Sequence, residues 1–185
     1  MLNIDKVVEM AVQYFNPDVV CDSRLLKRSS APRLADVYAP QEDVYQTELL
    51  SVFKSWFGRG TLVLSQPIAV LERQQNRGRP RHSDILIEHR GKRVLLELVA
   101  HTGFAGVQEH VERAERDAKV LGAGQVWVLH FTTGDFGQEW PSEKLDVSKA
   151  SIPIHVMDIK HGIQWDLVTI RMKGKEAEEV SLKLT

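Results

Sequence analysis

Asp84-Ile85-Leu86-Ile87-Glu88-His89-Arg90-Gly91-Lys92-Arg93-Val94-Leu95-Leu96-Glu97-Leu98-Val99-Ala100 reads as two apolar strands joined by a tight turn. With Arg90-Gly91 as a two-residue hairpin loop, His89 pairs with Lys92, and counting outward from the turn sets Asp84 opposite Glu97 on one face of the pair. Glu97 interrupts a run that otherwise reads as a strand buried on both faces. A carboxylate there must be paired, protonated or metal-bound, because an isolated buried charge is too costly to keep. Two opposed carboxylates are a divalent-metal site in outline, and a metal-dependent hydrolase is the first function to consider.

Outward from this hairpin, the region from Gln41 to Phe57 carries Val44, Tyr45, Leu49, Val52, Phe53 and Trp56 at helical spacing, with Gly58-Arg59-Gly60 as a stop. A strand follows from Thr61 to Leu71, then a polar loop to Ser83. After the hairpin, a helix is expected from Phe104 to Leu121, with Thr102 as N-cap and Gly122 as C-cap. Gln125 to Phe131 reads as a short buried strand in which Trp127 is core. Residues 152–159, 164–172 and 179–184 alternate as strands around the turns His161-Gly162 and Lys173-Gly174. At the other end, Ile4 to Phe15 has helical spacing, and residues 16–40, with three prolines and little periodicity, read as a linker. The expected organisation is an N-terminal helix and arm over 1–40 and a compact domain over 41–185.

The 185 residues suit one compact domain, and 43% hydrophobic with 26% charged content is that of a globular chain. No stretch reaches the roughly 18 apolar residues that span a bilayer, and the first residues lack a signal-peptide pattern, so an intracellular, cytoplasmic or nuclear protein without a membrane partner is expected. One cysteine, Cys21, rules out a multi-cysteine zinc centre. A metal here needs oxygen or imidazole ligands. The net charge of -1 argues against a basic surface overall, yet Arg73, Arg77, Arg79 and Arg81 crowd the loop before Asp84, with His82 beside them. Arginines beside a dicarboxylate suit a phosphate backbone, and the lack of aromatic residues in that loop argues against base stacking.

The order of helix, three strands, helix and strand, with Glu48 on the first helix, Asp84 and Glu97, resembles the PD-(D/E)XK nuclease superfamily over residues 41–132. It is similar in particular to the nuclease-like C-terminal domain of Crinkler-type effectors. The matching residues are Glu48, Asp84, Glu97-Leu98, Gly103, Glu109-His110 and Arg113. The resemblance implies an α/β, restriction-endonuclease-like core, a mixed β-sheet flanked by helices. It implies that Asp84 and Glu97 ligate Mg2+ (or Mn2+), that Glu48 completes or orients the site, and that the substrate is nucleic acid, DNA ahead of RNA. It also implies a lysine two residues after the strand glutamate to position the attacking water, where this chain has Val99.

His101, on the Glu97 face if the strand continues, or His110 or Arg113 on the next helix, is the expected replacement. Arg113 also counts with Arg73, Arg77, Arg79 and Arg81 as a nucleic-acid contact. Each assignment has a structural alternative. Asp84 suits a strand start satisfied by an amide, Glu97 a pair with an arginine, and His110 and Arg113 a solvated helix flank. Set against the metal-dependent endonuclease are a catalytically inactive nuclease-fold module that binds nucleic acid or protein, favoured by Val99, and an adaptor docking through the N-terminal helix.

Overall fold

The chain is described by a computed structural model over residues 2–22, 40–69, 81–82, 84–133, 140–162, 165, 167–173 and 178–181, with only the backbone described for 68–69, 81–82 and 178–181. Its elements are α1 (Ile4–Val12), α2 (Pro17–Asp22), α3 (Glu42–Trp56), β1 (Thr61–Ser65), β2 (Ile68–Ala69), β3 (Arg81–His82), β4 (Ile85–His89), β5 (Lys92–Ala100), α4 (Phe104–Leu121), β6 (Gln125–Thr133), α5 (Pro141–Lys144), β7 (Ile154–His161), β8 (Leu167–Met172) and β9 (Glu178–Ser181). Among the described residues, seven strands form one sheet in the order β1-β4-β5-β6-β7-β8-β9, while β2 and β3 pair separately. β5, β6 and β7 run parallel to one another and the other pairings are antiparallel. This is the expected α/β class, a mixed sheet with helices on both faces.

The hairpin has the register expected from its turn, from His89 opposite Lys92 to Ile85 opposite Leu96. Arg90 and Gly91 both take positive φ, 51° and 73°, as a two-residue hairpin turn requires. Alternation then divides the strands between two layers. Ile85, Ile87, Val94, Leu96 and Leu98 face Tyr45, Leu49 and Phe53 of α3. Leu86, Leu95 and Val99 face Val107, Val111, Ala114 and Ala118 of α4, together with Val126 and Val128 of β6. Either layer tolerates little truncation, since a buried Leu→Ala change costs about 2–5 kcal/mol.

Several boundaries differ from the sequence reading. Ile4, Val8, Ala11, Val12, Phe15 and Val20 join the α3-side core, so residues 4–22 are built into it, and Pro17, at the first position of α2, opens a helix where a linker was expected. The strand expected over 61–71 breaks at Gln66, whose φ is 49°, leaving β1 and the short β2. Thr102 does not cap α4. Gly103 is the N-cap, without a side-chain bond, and the Thr102 hydroxyl instead lies 2.0 Å from where a Cβ on Gly106 would sit. Gly122 closes the helix in the left-handed region, as expected. Among the described residues, no helix is long and apolar enough to cross a membrane.

Candidate active site at the carboxyl end of the hairpin

Glu97 is 0% exposed and, by alternation with Leu95 and Val99, points to the α4 face. His110 and Arg113, three residues apart and so on one side of α4, meet it there. Arg113 Nη2 donates to Glu97 Oε1, and His110 Nδ1 lies 3.0 Å from the same oxygen. Arg113 Nη2 also stands 3.0 Å from His110 Nδ1. That nitrogen must donate to the carboxylate or accept from the guanidinium, and the fully buried anion claims its proton. Burial lowers the pKa of His110, with Glu109 opposing and His130 assisting. Glu97 Oε2 and Arg113 Nε are buried with no hydrogen-bond partner among the described residues. Arg113 offsets the single charge that both carboxylate oxygens share, and Oε2 keeps its acceptor capacity for a further donor or cation.

Asp84 immediately precedes β4, and continuing the strand register sets it opposite Glu97. Its Oδ2 accepts the Leu98 amide at 2.6 Å, and its backbone carbonyl accepts Gln46 Nε2 at 2.7 Å and the Gln66 amide at 2.8 Å. Burial pushes the Asp84 carboxyl up to about 6, against the opposing pull of the Leu98 amide and Arg113. Glu42, the first residue of α3, is pushed up to about 7, chiefly by burial and next by the charge of Asp84, with Arg113 opposing. Glu42 and Gln46 are one helical turn apart and so share a face.

Glu42 is therefore the α3 acid that feels Asp84, and Glu48 is not brought to it. Two residues beyond Gln46, Glu48 lies about 200° round the helix, and its Oε2 accepts the Asn16 amide at 2.6 Å, just before α2 begins. The helix carboxylate expected to complete the site instead ties down the N-terminal segment.

The expected substitutes for the missing lysine part company. Val99 is 2% exposed in the α4 layer. β5 ends at Ala100, and His101 takes a φ of 50°, which turns its ring out of the alternation and away from the Glu97 face. Its Nε2 lies 3.2 Å from Tyr45 Oη, which is 2.7 Å from His161 Nε2. Burial pushes His101 down to about 4, with His130 assisting and the Pro40 carbonyl opposing. His101 is thus neutral at physiological pH and belongs to a Tyr45-His101-His161 chain on the α3 side. His110 alone of the two candidate histidines reaches Glu97.

A second buried pair, unforeseen from sequence, lies beside this group. His130 Nδ1 is 2.8 Å from Asp158 Oδ1, and Asp158 Oδ2 accepts the Ser142 amide at 2.9 Å. The signal was present, since His130 interrupts the apolar run of β6 and Asp158 that of β7, just as Glu97 interrupts β5. Arg73, Arg77 and Arg79 lie outside the described residues. For Arg81 and His82 only the backbone in β3 is described, and Arg113 is committed to Glu97.

The donor set suits a hard cation. Oxygens of Asp84 and Glu97 are the ligand type Mg2+ and Mn2+ prefer, and the bare, buried Oε2 of Glu97 is a ready ligand. Among the described residues no group of three or more His, Cys, Asp or Glu side chains is gathered as a metal cage. Mg2+ does not require one, because it commonly binds through one or two carboxylates and completes its shell with water and substrate phosphate.

No family model matches the chain, and no curated protein matches it. Among solved structures it is similar to SfsA of Pyrococcus furiosus in complex with Ca2+, at 12% identity and a TM-score of 0.36, covering 81% of this chain and 68% of that one. No functional reading is carried over from it.

Proposed function

We propose that this chain is a PD-(D/E)XK-type nuclease domain, related to the C-terminal domains of Crinkler-type effectors, that hydrolyses phosphodiester bonds of nucleic acid, DNA ahead of RNA. The observation that carries the reading is a fully buried Glu97, whose Oε2 has no partner among the described residues, next in chain to Leu98, whose amide donates to the Asp84 carboxylate. Asp84 and Glu97 would hold Mg2+ or Mn2+. A bound cation lowers the pKa of a ligated water and stabilises charge on a phosphoryl oxygen. Glu42 takes the place first given to Glu48, adding negative charge beside Asp84. Arg113 orients Glu97 and offsets its charge, and the arginines of the loop before β3 contact backbone phosphates without reading sequence.

The second reading, a module that binds nucleic acid or protein without chemistry, is favoured by Val99 and by the Arg113 guanidinium already paired with Glu97. Incubation of supercoiled plasmid and a structured RNA with the protein and Mn2+ separates the two. Cleavage that is abolished by Asp84→Ala and Glu97→Gln, with duplex binding retained, supports the nuclease. Binding without cleavage under any divalent cation supports the module. Replacing Arg77, Arg79 and Arg81 by Ala reports on the loop, because each lost phosphate contact removes about 0.9 from the log-log salt slope.

A further inference from the structure

We propose that His130, oriented by Asp158, is the proton acceptor for the attacking water at this site, standing in from the neighbouring strand for the lysine that Val99 replaces. This rests on the nuclease reading above. The register pairs Val99 with His130 and His130 with Asp158, so the three lie in one row across β5, β6 and β7. All three point to the α4 face, since Val126 and Val128, in alternation with His130, and Val156, in alternation with Asp158, belong to that layer with Val99. Glu97 is two residues back along β5. Strand geometry places its Cα about 8 Å from that of His130, within the combined reach of the two side chains. A residue extending from β6 thus serves the space that a long side chain at position 99 would fill.

The hydrogen bonds define which nitrogen is available. Asp158 accepts from the Ser142 amide through Oδ2, and its Oδ1 accepts the proton on His130 Nδ1. With Nδ1–H directed at Asp158, a neutral imidazole carries its lone pair on Nε2. His130 is 2% exposed, and Nε2 has no hydrogen-bond partner among the described residues. Glu97 Oε2 is on the same face and likewise has no partner among the described residues, so this face of β5 and β6 carries one nitrogen and one oxygen acceptor, both unused. In the reaction, Nε2 takes a proton from water as the water oxygen bonds to phosphorus. The P–O ester bond breaks, its electron pair leaves on the ester oxygen, and that oxygen is protonated from bulk water. The imidazolium returns its proton to solvent. Asp158 is a positioning residue, and His130 is the catalytic one.

The test combines cleavage with a readout that needs neither metal nor substrate. In the metal-free wild type, long-range 1H–15N correlation should show His130 protonated on Nδ1 and bare on Nε2, and Asp158→Asn should shift the proton to Nε2. With Mn2+ and plasmid, His130→Gln should lower cleavage at least ~100-fold, the size of a general-base contribution, while duplex affinity is unchanged. Val99→Lys in the His130→Gln background should restore part of the loss. Undiminished cleavage by His130→Gln, beside an inactive Glu97→Gln, overturns the inference and leaves the nuclease standing. A wild-type Nε2–H tautomer overturns it as well, whether or not His130→Gln folds. Failure of the wild type to cleave at all removes the nuclease reading and this inference with it.

Discussion

Replacing Asp84 with asparagine should stabilise the metal-free protein above neutral pH. Asp84 is 8% exposed and its carboxyl is pushed from 3.8 up to about 6, mainly by burial. Below pH 3.8 the group is protonated in both folded and unfolded chains and costs nothing. As the pH rises through 3.8 to 6 the unfolded chain ionises first, so the folded state loses stability across that window and the full penalty persists above it. A rise of about two pKa units corresponds to about 3 kcal/mol. The Leu98 amide's pull on the charged form is already contained in that net rise, and asparagine keeps a carbonyl for the amide. The gain expected at pH 8 is about 3 kcal/mol.

His101 works in the opposite sense, being lowered from 6.5 to about 4, so its contribution to stability is lost as the pH falls from 6.5 through 4. The two slopes overlap, and only the difference between variant and wild type isolates Asp84. Urea denaturation of both proteins from pH 3.5 to 8, without divalent ions, measures it. The gain should appear between pH 4 and 6 and then level off, and the Glu42 carboxyl, freed of the Asp84 charge, should titrate below its value of about 7. An asparagine variant that is less stable than wild type at pH 8, or a difference that does not change with pH, refutes the reasoning.

Arg113→Ala strands the Glu97 charge in the interior and should cost about 3–5 kcal/mol in chemical denaturation, most of it recovered by adding Glu97→Gln; equal costs in the single and double variants would show that the ion pair is not what holds the site together. Glu48→Gln weakens a charge-assisted bond to the Asn16 amide and should cost about 1 kcal/mol without altering cleavage, whereas Glu42→Gln should lower cleavage and leave the melting temperature unchanged or higher. Plasmid nicking beside thermal melts checks both, and the reverse pattern would return Glu48 to the active group.

The sequence by itself determined the hairpin, its register and the class of the fold. Each of these is local. A two-residue turn sets the pairing outward from itself, period-two alternation assigns every residue of β4 and β5 to a face, and helical spacing marks α3 and α4 before any tertiary contact is known. The opposition of Asp84 and Glu97 is legible for the same reason, and so is the anomaly of a carboxylate inside an apolar run.

Tertiary structure decided which side chains meet that pair. Glu42 and Glu48 look alike in sequence, and only the rotation of α3 against β4, fixed by Gln46 on the Asp84 carbonyl, brings one near the acid pair and turns the other toward Asn16. A positive φ at His101, invisible in composition, turns a residue with the right parity away from Glu97. The row of Val99, His130 and Asp158 depends on parallel pairings across helix α4 and across the segment between β6 and β7. Such pairings join residues some 30 positions apart, and their register is set by packing of the whole layer, with no turn to transmit it along the chain.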